Sequence, residues 1–305
     1  MPLFLRVGAL MLFVLGVGYY LYVHSPAKGI NENVNEDVKT IAQNPLPPVT
    51  RDDWGVIVGA PYAVFNGYAV NDFTPETAED NGLSYGWKIH NRQDLIRQLF
   101  WLSMGGPTRV FYDMRSELAG MPKNEFDKLL ANIEQGQLDK TKKQEIVWQY
   151  NMMYHNTHNI KNVNYWVWDY VRFSMLCLEG TRLKYITEAE AKAWTRMLAP
   201  RLRATFHGWD DLWHNFLIAR WFWSAQDKLW MQKQSELVDI IDNLLKEPSS
   251  PAISIDWNTP LSSIDTCSFV EAVASLQLKD ENGVIIGVDE LNNIIQSHLN
   301  ITEPK

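Results

Sequence analysis

The sequence holds little of what catalysis and cofactor binding leave behind. Only two cysteines, Cys177 and Cys267, stand in 305 residues. There is no C-x-x-C pair and no Cys/His cluster at zinc-finger spacing, which argues against a structural zinc site or a dithiol redox centre. Neither cysteine lies in a loop-rich staple pattern, so a Cys177–Cys267 disulfide is not expected. Cys177 falls inside a strongly apolar helix, where a small buried thiol fits. No Gly-rich phosphate loop, no βαβ pattern and no internal repeat occurs. G-x-S-x-G, H-E-x-x-H and a Ser/His/Asp order are missing too. Lysine and arginine are scattered, without a basic stripe, and the formal net charge is −8. That balance speaks against nucleic acid as a main partner. No cofactor and no metal is expected.

What the chain has instead is apolar bulk. Hydrophobic residues make up 46%, enough for a sizeable core, and there are 13 tryptophans. Indoles in this number serve as large packing units in a core or groove. The length suits one large domain or two small ones.

The front of the chain stands apart. Residues 7–23, "VGALMLFVLGVGYYLYV", carry no charge, and from Leu3 the run is broken only by Arg6. At about 1.5 Å per residue this reaches across a hydrocarbon core of roughly 30 Å. Tyr19, Tyr20 and Tyr22 sit at one end, as an interfacial aromatic belt does. A cleaved signal peptide is the rival, but its apolar region is shorter and ends in a small-x-small site, which "YLYVHSPAKG" does not offer. Residues 3–23 are therefore read as a retained single-pass anchor in the lipid bilayer of an inner membrane. Arg6 and the amino terminus on one side nearly balance Lys28 and Lys39 on the other. The short leading tail favours a cytoplasmic start and a periplasmic domain; a cytoplasmic domain is the alternative. Residues 24–50 are polar with a Pro-rich end and read as a flexible tether.

From residue 51 to 305, helical spacing dominates, so the fold is expected to be all-α: a single multi-helix globular domain behind one transmembrane helix. A helix starts at Asp52 or Asp53 and is limited or kinked by Pro61. Asn91 and Asp94 open another, with Leu95, Leu99 and Leu102 on one face, and Gly105-Gly106-Pro107 closes it. Further helices are expected at about 110–119, 124–134 and 140–160. Residues 186–206 form one capped helix, with Thr187 and Glu190 as its capping box and Pro200 as a kink. The C-terminal helices occupy 235–300, with a short strand at Gly283–Gly287.

"NYWVWDYVRFSML", residues 164–176, poses the sharpest question. A helix apolar on all sides is a buried helix, yet Asp169 and Arg172 lie inside it. A buried carboxylate without a partner costs several kcal/mol. Arg172, three positions on, can reach Asp169. In residues 209–230 the face made by Trp209, Leu212, Trp213, Phe216, Leu217 and Trp223 likewise carries Arg220 and Asp227. The economical inference is that the two helices meet and that Asp169, Arg172, Arg220 and Asp227 form one internal charge network that fixes their crossing.

The stretches "WVWDYVRFSMLCLEGTRLKYITEAEAKAW" and "FHGWDDLWHNFLIARWFW" resemble a bacterial family known as domain of unknown function 1266, the YbeU-like proteins. "YGWKIHNRQDLIRQLFWLSMGGPTRVF" is similar to its Trp-initiated N-terminal part. The family tends to carry Gly-His where this chain has Gly106-Pro107, a departure that weakens any role for a histidine at that point. The resemblance covers about residues 52–230 and picks out Trp168, Asp169, Arg172, Glu190, Trp209, Arg220 and Trp223. It implies no activity, and the N-terminal anchor is not part of its pattern.

Isolated titratable groups have local explanations. His155 and His158 could form half a metal site, but nothing completes it. Glu188, Glu190, Asp210 and Asp211 suit helix capping and the helix dipole. His207 and His214 flank Trp209. The first functional reading is a membrane-tethered binding module of the bacterial envelope acting through protein–protein contact, in toxin immunity, effector handling or chaperone-like assistance. The alternative is an enzyme with a cleft around Asp169, Arg172, His207, His214 and Arg220, acting on a small polar or anionic ligand.

Overall fold

A computed structural model describes residues 48–75, 82–224 and 228–300. The expected anchor at 3–23, most of the tether at 24–50, and Asp227 lie outside them. Among the described residues no helix is long and apolar enough to cross a membrane. Fourteen α-helices account for the described architecture, and the expected strand at Gly283–Gly287 reduces to one isolated antiparallel bridge, Lys279 to Ile285.

The first helices are α1 (Trp54–Ile57) and α2 (Ala60–Phe65). Pro61 does not kink a continuing helix. It sits in the first turn of α2, where its missing N–H costs nothing. Next come α3 (Arg92–Ser103), α4 (Gly106–Glu117), α5 (Lys123–Gln135) and α6 (Lys140–Tyr154). The Asn91 side chain accepts from the Asp94 N–H, as its position before an apolar stripe requires. Gly105 ends α3 at φ +97, a conformation glycine adopts without strain, and α4 begins at the very next residue. Gly106-Pro107 is therefore a start as much as a stop, and α4 opens four residues earlier than its apolar pattern suggests.

α7 (Trp166–Arg182) is the central element, and only Glu179 escapes burial along it. It packs against α1, α2, α3, α4, α8 (Glu188–Arg196) and α10 (Trp209–Ser224). The expected kinked helix at 186–206 is two helices. Pro200 lies in the first turn of a separate α9 (Ala199–Thr205), so its ring starts a helix instead of bending one. The chain closes with α11 (Lys228–Lys246), α12 (Pro251–Ser254), α13 (Cys267–Ala274) and α14 (Val288–Asn300). Phe269 of α13 meets Phe173 of α7 and Trp194 of α8 edge-on, which brings the C-terminal helices into the same core. Cys177 is buried and Cys267 exposed, and both are free thiols. Burial pushes the Cys177 thiol well above its ordinary value.

Tryptophans hold segments far apart in the sequence together. Trp54, Trp209 and Trp257 lie about 5 Å apart in mutual ring contact, and Trp213 stacks on Trp209. Their indole N–H groups do not go to waste: Trp54 donates to the Trp257 carbonyl at 3.0 Å and Trp209 to the Ile255 carbonyl at 2.9 Å. Burying an indole without such a partner would sacrifice a hydrogen bond to water.

α1 reaches this cluster because Gly55 lets it lie against the backbone of α8. A Cβ placed on Gly55 would stand 2.4 Å from the Thr195 carbonyl carbon. Gly55→Ala is expected to destabilise the fold by about 1–3 kcal/mol, the usual range for overpacking. Gly82→Ala, where a Cβ meets nothing within 4 Å, is expected to leave the melting temperature unchanged. Thermal unfolding of the two variants checks this pair.

Candidate functional site

α4 has no side-chain cap of its own, because its N-cap residue is Gly105. The missing acceptor comes from α7. Asp169 Oδ2 accepts the Thr108 backbone N–H at 3.1 Å and the Thr108 hydroxyl at 2.5 Å. Pro107, with no N–H to offer, leaves Thr108 as the donor that matters in this turn. The positive end of the α4 dipole faces the same carboxylate. Gly106 makes the approach feasible, since a Cβ there would come within 3.1 Å of Asp169 Oδ1.

Arg172 completes the arrangement. Its Nη2 donates to Asp169 Oδ1 at 2.5 Å and its Nε to the Trp168 carbonyl at 2.9 Å. The guanidinium lies over the Trp168 ring at 4.4 Å and near the Trp87 ring at 5.6 Å. Asp169 is 0% exposed and Arg172 2%. Burial pushes the Asp169 carboxyl above its ordinary value; the Arg172 charge and the Thr108 hydrogen bonds pull against it. Chemically the group is a capped and neutralised carboxylate inside the protein.

Arg220 has a different partner. It is 1% exposed, its Nη1 donates to Gln234 Oε1 at 2.6 Å, and Gln234 in turn donates to the Leu217 carbonyl at 2.8 Å. α7 and α10 do pack together, but among the described residues no ion pair joins Arg220 to Asp169. The reason lies in Asp169 itself, whose two oxygens are already taken by Arg172 and Thr108. Among the described residues Asp169–Arg172 and Arg220–Gln234 are thus separate contacts, and Asp227 lies outside those residues.

The cleft of the enzyme reading is not assembled. Asp169, Arg172 and Arg220 are buried, whereas His207 and His214 are exposed. His207 lies in the turn before α10, where its backbone N–H donates to Asp211. His214 sits on the outward side of α10, away from the core face of Trp213 and Phe216. His155 and His158 are exposed, set edge-on to Phe126 and Trp221 respectively. Among the described residues no group of three metal-ligating side chains occurs.

The remaining motif positions are structural joints. Trp209 is in the tryptophan cluster, Trp168 stacks near Phe216, and Trp223 is half-buried at the end of α10. Glu190 does two tasks. It completes the capping box with Thr187, and its two oxygens receive both Arg92 nitrogens at 2.6 and 3.1 Å, tying α3 to α8. Burial acts to raise the Glu190 carboxyl, but the Arg92 and Thr187 hydrogen bonds outweigh it and hold the group below its ordinary value. Glu188 pairs with Lys192, which also reaches the buried Asp53.

One concavity among the described residues is a groove of about 630 Å³ whose walls include Pro48, Val49, Val64 and Val70 on one side and Ile240, Leu244 and Pro251 on the other. Sequence reasoning missed it because its residues are spread over 200 positions and none is chemically distinctive.

A buried helix that carries an Asp–Arg pair and is joined to its neighbour through Asp169 and Thr108, with clamps at Glu190 and Arg220, defines a helical domain whose characteristic residues build its interior. The chain belongs to the family described as Protein of unknown function (DUF1266), whose sequence model matches residues 82–257. The match starts after α2 and extends through α11 and α12 to Trp257, so it lies further along the chain than the span of about 52–230 expected from the motifs. No curated protein and no solved structure matches the chain.

Removing either partner of the Asp169–Arg172 pair strands a buried charge, which typically costs about 3–5 kcal/mol. In a double-mutant cycle, Asp169→Ala with Arg172→Ala is expected to cost well below the sum of the single changes, and Asp169→Ala with Arg220→Ala close to the sum. Denaturant unfolding measures both. The Glu190 clamp has a pH signature. A depressed folded pKa gives stability that is present above the unfolded carboxylate value of about 4.3 and is lost as pH falls through the folded one. Glu190→Gln keeps the capping box and removes the charge, so it is expected to cost up to about 1 kcal/mol at pH 7. That difference should close on acidification below about pH 4, read from paired pH–stability profiles.

Proposed function

We propose that this chain is a membrane-tethered helical binding module of the bacterial envelope, working through protein–protein contact. In this reading residues 3–23 lie in the lipid bilayer of the inner membrane, residues 24–50 act as the tether, and the helical domain faces the periplasm. The observation that carries the proposal is the groove between α2 and the α11–α12 region. Its lining is mainly apolar, and Pro48 and Val49, the last part of the tether, form part of its wall. A partner seated there would meet the domain where the chain arrives from the membrane. Apolar concave surface of this kind serves association.

The enzyme reading depended on Asp169, Arg172, His207, His214 and Arg220 facing one space. Three of them lie in the core and two on the outside, so these five side chains do not share one space. The buried charges then have a structural task, and recognition falls to the surface.

A photo-crosslinking amino acid at Val64, on the groove wall, tests this in intact cells. A discrete protein adduct in the membrane fraction is expected from Val64 and none from the exposed Lys184. Recovery of the chain in the soluble fraction, or equal adducts from both positions, would reject the proposal.

A further inference from the structure

A second cavity, of about 500 Å³, opens between α4 and α6 with Trp223 of α10 on its wall. It is separate from the groove and from the buried motif residues. Gln149 lines it, 5% exposed, and its Nε2 has no hydrogen-bond partner. Native interiors rarely leave an amide donor in this condition, because its lost contact with water goes uncompensated. An acceptor entering the cavity would supply what is missing.

The mouth has the opposite character. Asp113 and Glu117, both exposed, stand one helical turn apart on α4. Like charges at this spacing repel, and a cation between them relieves the repulsion. Tyr150 fixes one of them in place by donating its hydroxyl to Glu117 at 2.7 Å. Burial and the Glu117 charge push the Tyr150 phenol up, so it stays a donor at neutral pH. Lys142 also lines the cavity, and its ammonium pairs with Glu145 at 2.9 Å. Met114 and Trp223 add an apolar and aromatic wall, suited to the body of a ligand whose charged end is positive.

We infer that this cavity binds a small organic amine bearing a carbonyl oxygen, its ammonium between Asp113 and Glu117, its carbonyl on Gln149 and its apolar body against Met114 and Trp223. The class includes amino-acid amides and the first residue of a free peptide amino terminus. No bond is made or broken.

Calorimetry on the full chain with L-phenylalaninamide tests the assignment. Saturable single-site binding is expected. 3-Phenylpropanamide, which lacks the ammonium, and N-acetyl-L-phenylalaninamide, which is neutral, should bind at least about tenfold more weakly, because charge-assisted hydrogen bonds are lost. Gln149→Leu should raise the melting temperature of the free chain by removing the partnerless donor, and should weaken the amine at least about tenfold. Asp113→Asn, at an exposed position, should leave the melting temperature unchanged and weaken the amine to a similar degree. Absence of saturable heat, equal binding of the neutral amides, or unchanged affinity in Asp113→Asn would overturn the assignment. If Gln149→Leu does not fold, Asp113→Asn and Glu117→Gln decide it.

Discussion

One buried carboxylate sets the geometry of the centre. Asp169 is fully enclosed, so its charge needs compensation from fixed groups, and fixed groups demand a fixed backbone. Arg172 supplies one half from the same helix. The start of α4 supplies the other through Thr108 and the helix dipole. Asp169 therefore caps a helix to which it does not belong. That is why the Gly105-Gly106-Pro107 turn must take its particular path: Gly105 turns the chain, Gly106 yields space to the carboxylate, and Pro107 shapes the first turn. A change to any of these acts on the relation between α4 and α7 before it acts on either helix alone.

The other polar joints follow a similar logic at lower cost. Glu190 caps α8 with one set of bonds and grips α3 with another. Arg220 and Gln234 join α10 to α11, and Gln234 then satisfies a backbone carbonyl of α10. In each case one polar side chain, Glu190 or Gln234, serves two partners at once. The indoles of Trp54 and Trp209 extend this to residues that are mostly apolar: their surface fills space while their single N–H links distant segments.

Much of this was legible from the sequence. The apolar surround of Asp169 and its spacing to Arg172 pointed to a buried pair in a central helix. Asn91 and Thr187 announced helix starts because a cap is a local event decided within four residues. The prolines misled for an equally local reason. Pro61 and Pro200 each suit a kink or a first turn, and only the preceding backbone decides between them. Thr108 escaped notice because its partner lies 61 positions away, and no periodicity encodes that pairing. Gln234 of α11, which accepts from Arg220, escaped notice because a neutral amide does not register in a search for opposite charge. Gln149 gave no signal at all, since its lack of an acceptor exists only once α4, α6 and α10 are folded together.

The contact between Trp54 and Trp257 has a consequence for biosynthesis. The two residues are separated by 203 positions, yet the indole of the first donates to the carbonyl of the second. At about 5–20 residues per second, the ribosome needs roughly 10–40 s between making one and the other. Through that interval Trp54 lacks one of the two indoles that pack on it and the carbonyl that its N–H meets. This part of the core therefore closes only after residue 257 has been made. Long-range contacts of this kind slow folding, because the loop must close before the contact rewards it. A ribosome stalled or a chain cut short before residue 257 would present an open tryptophan face.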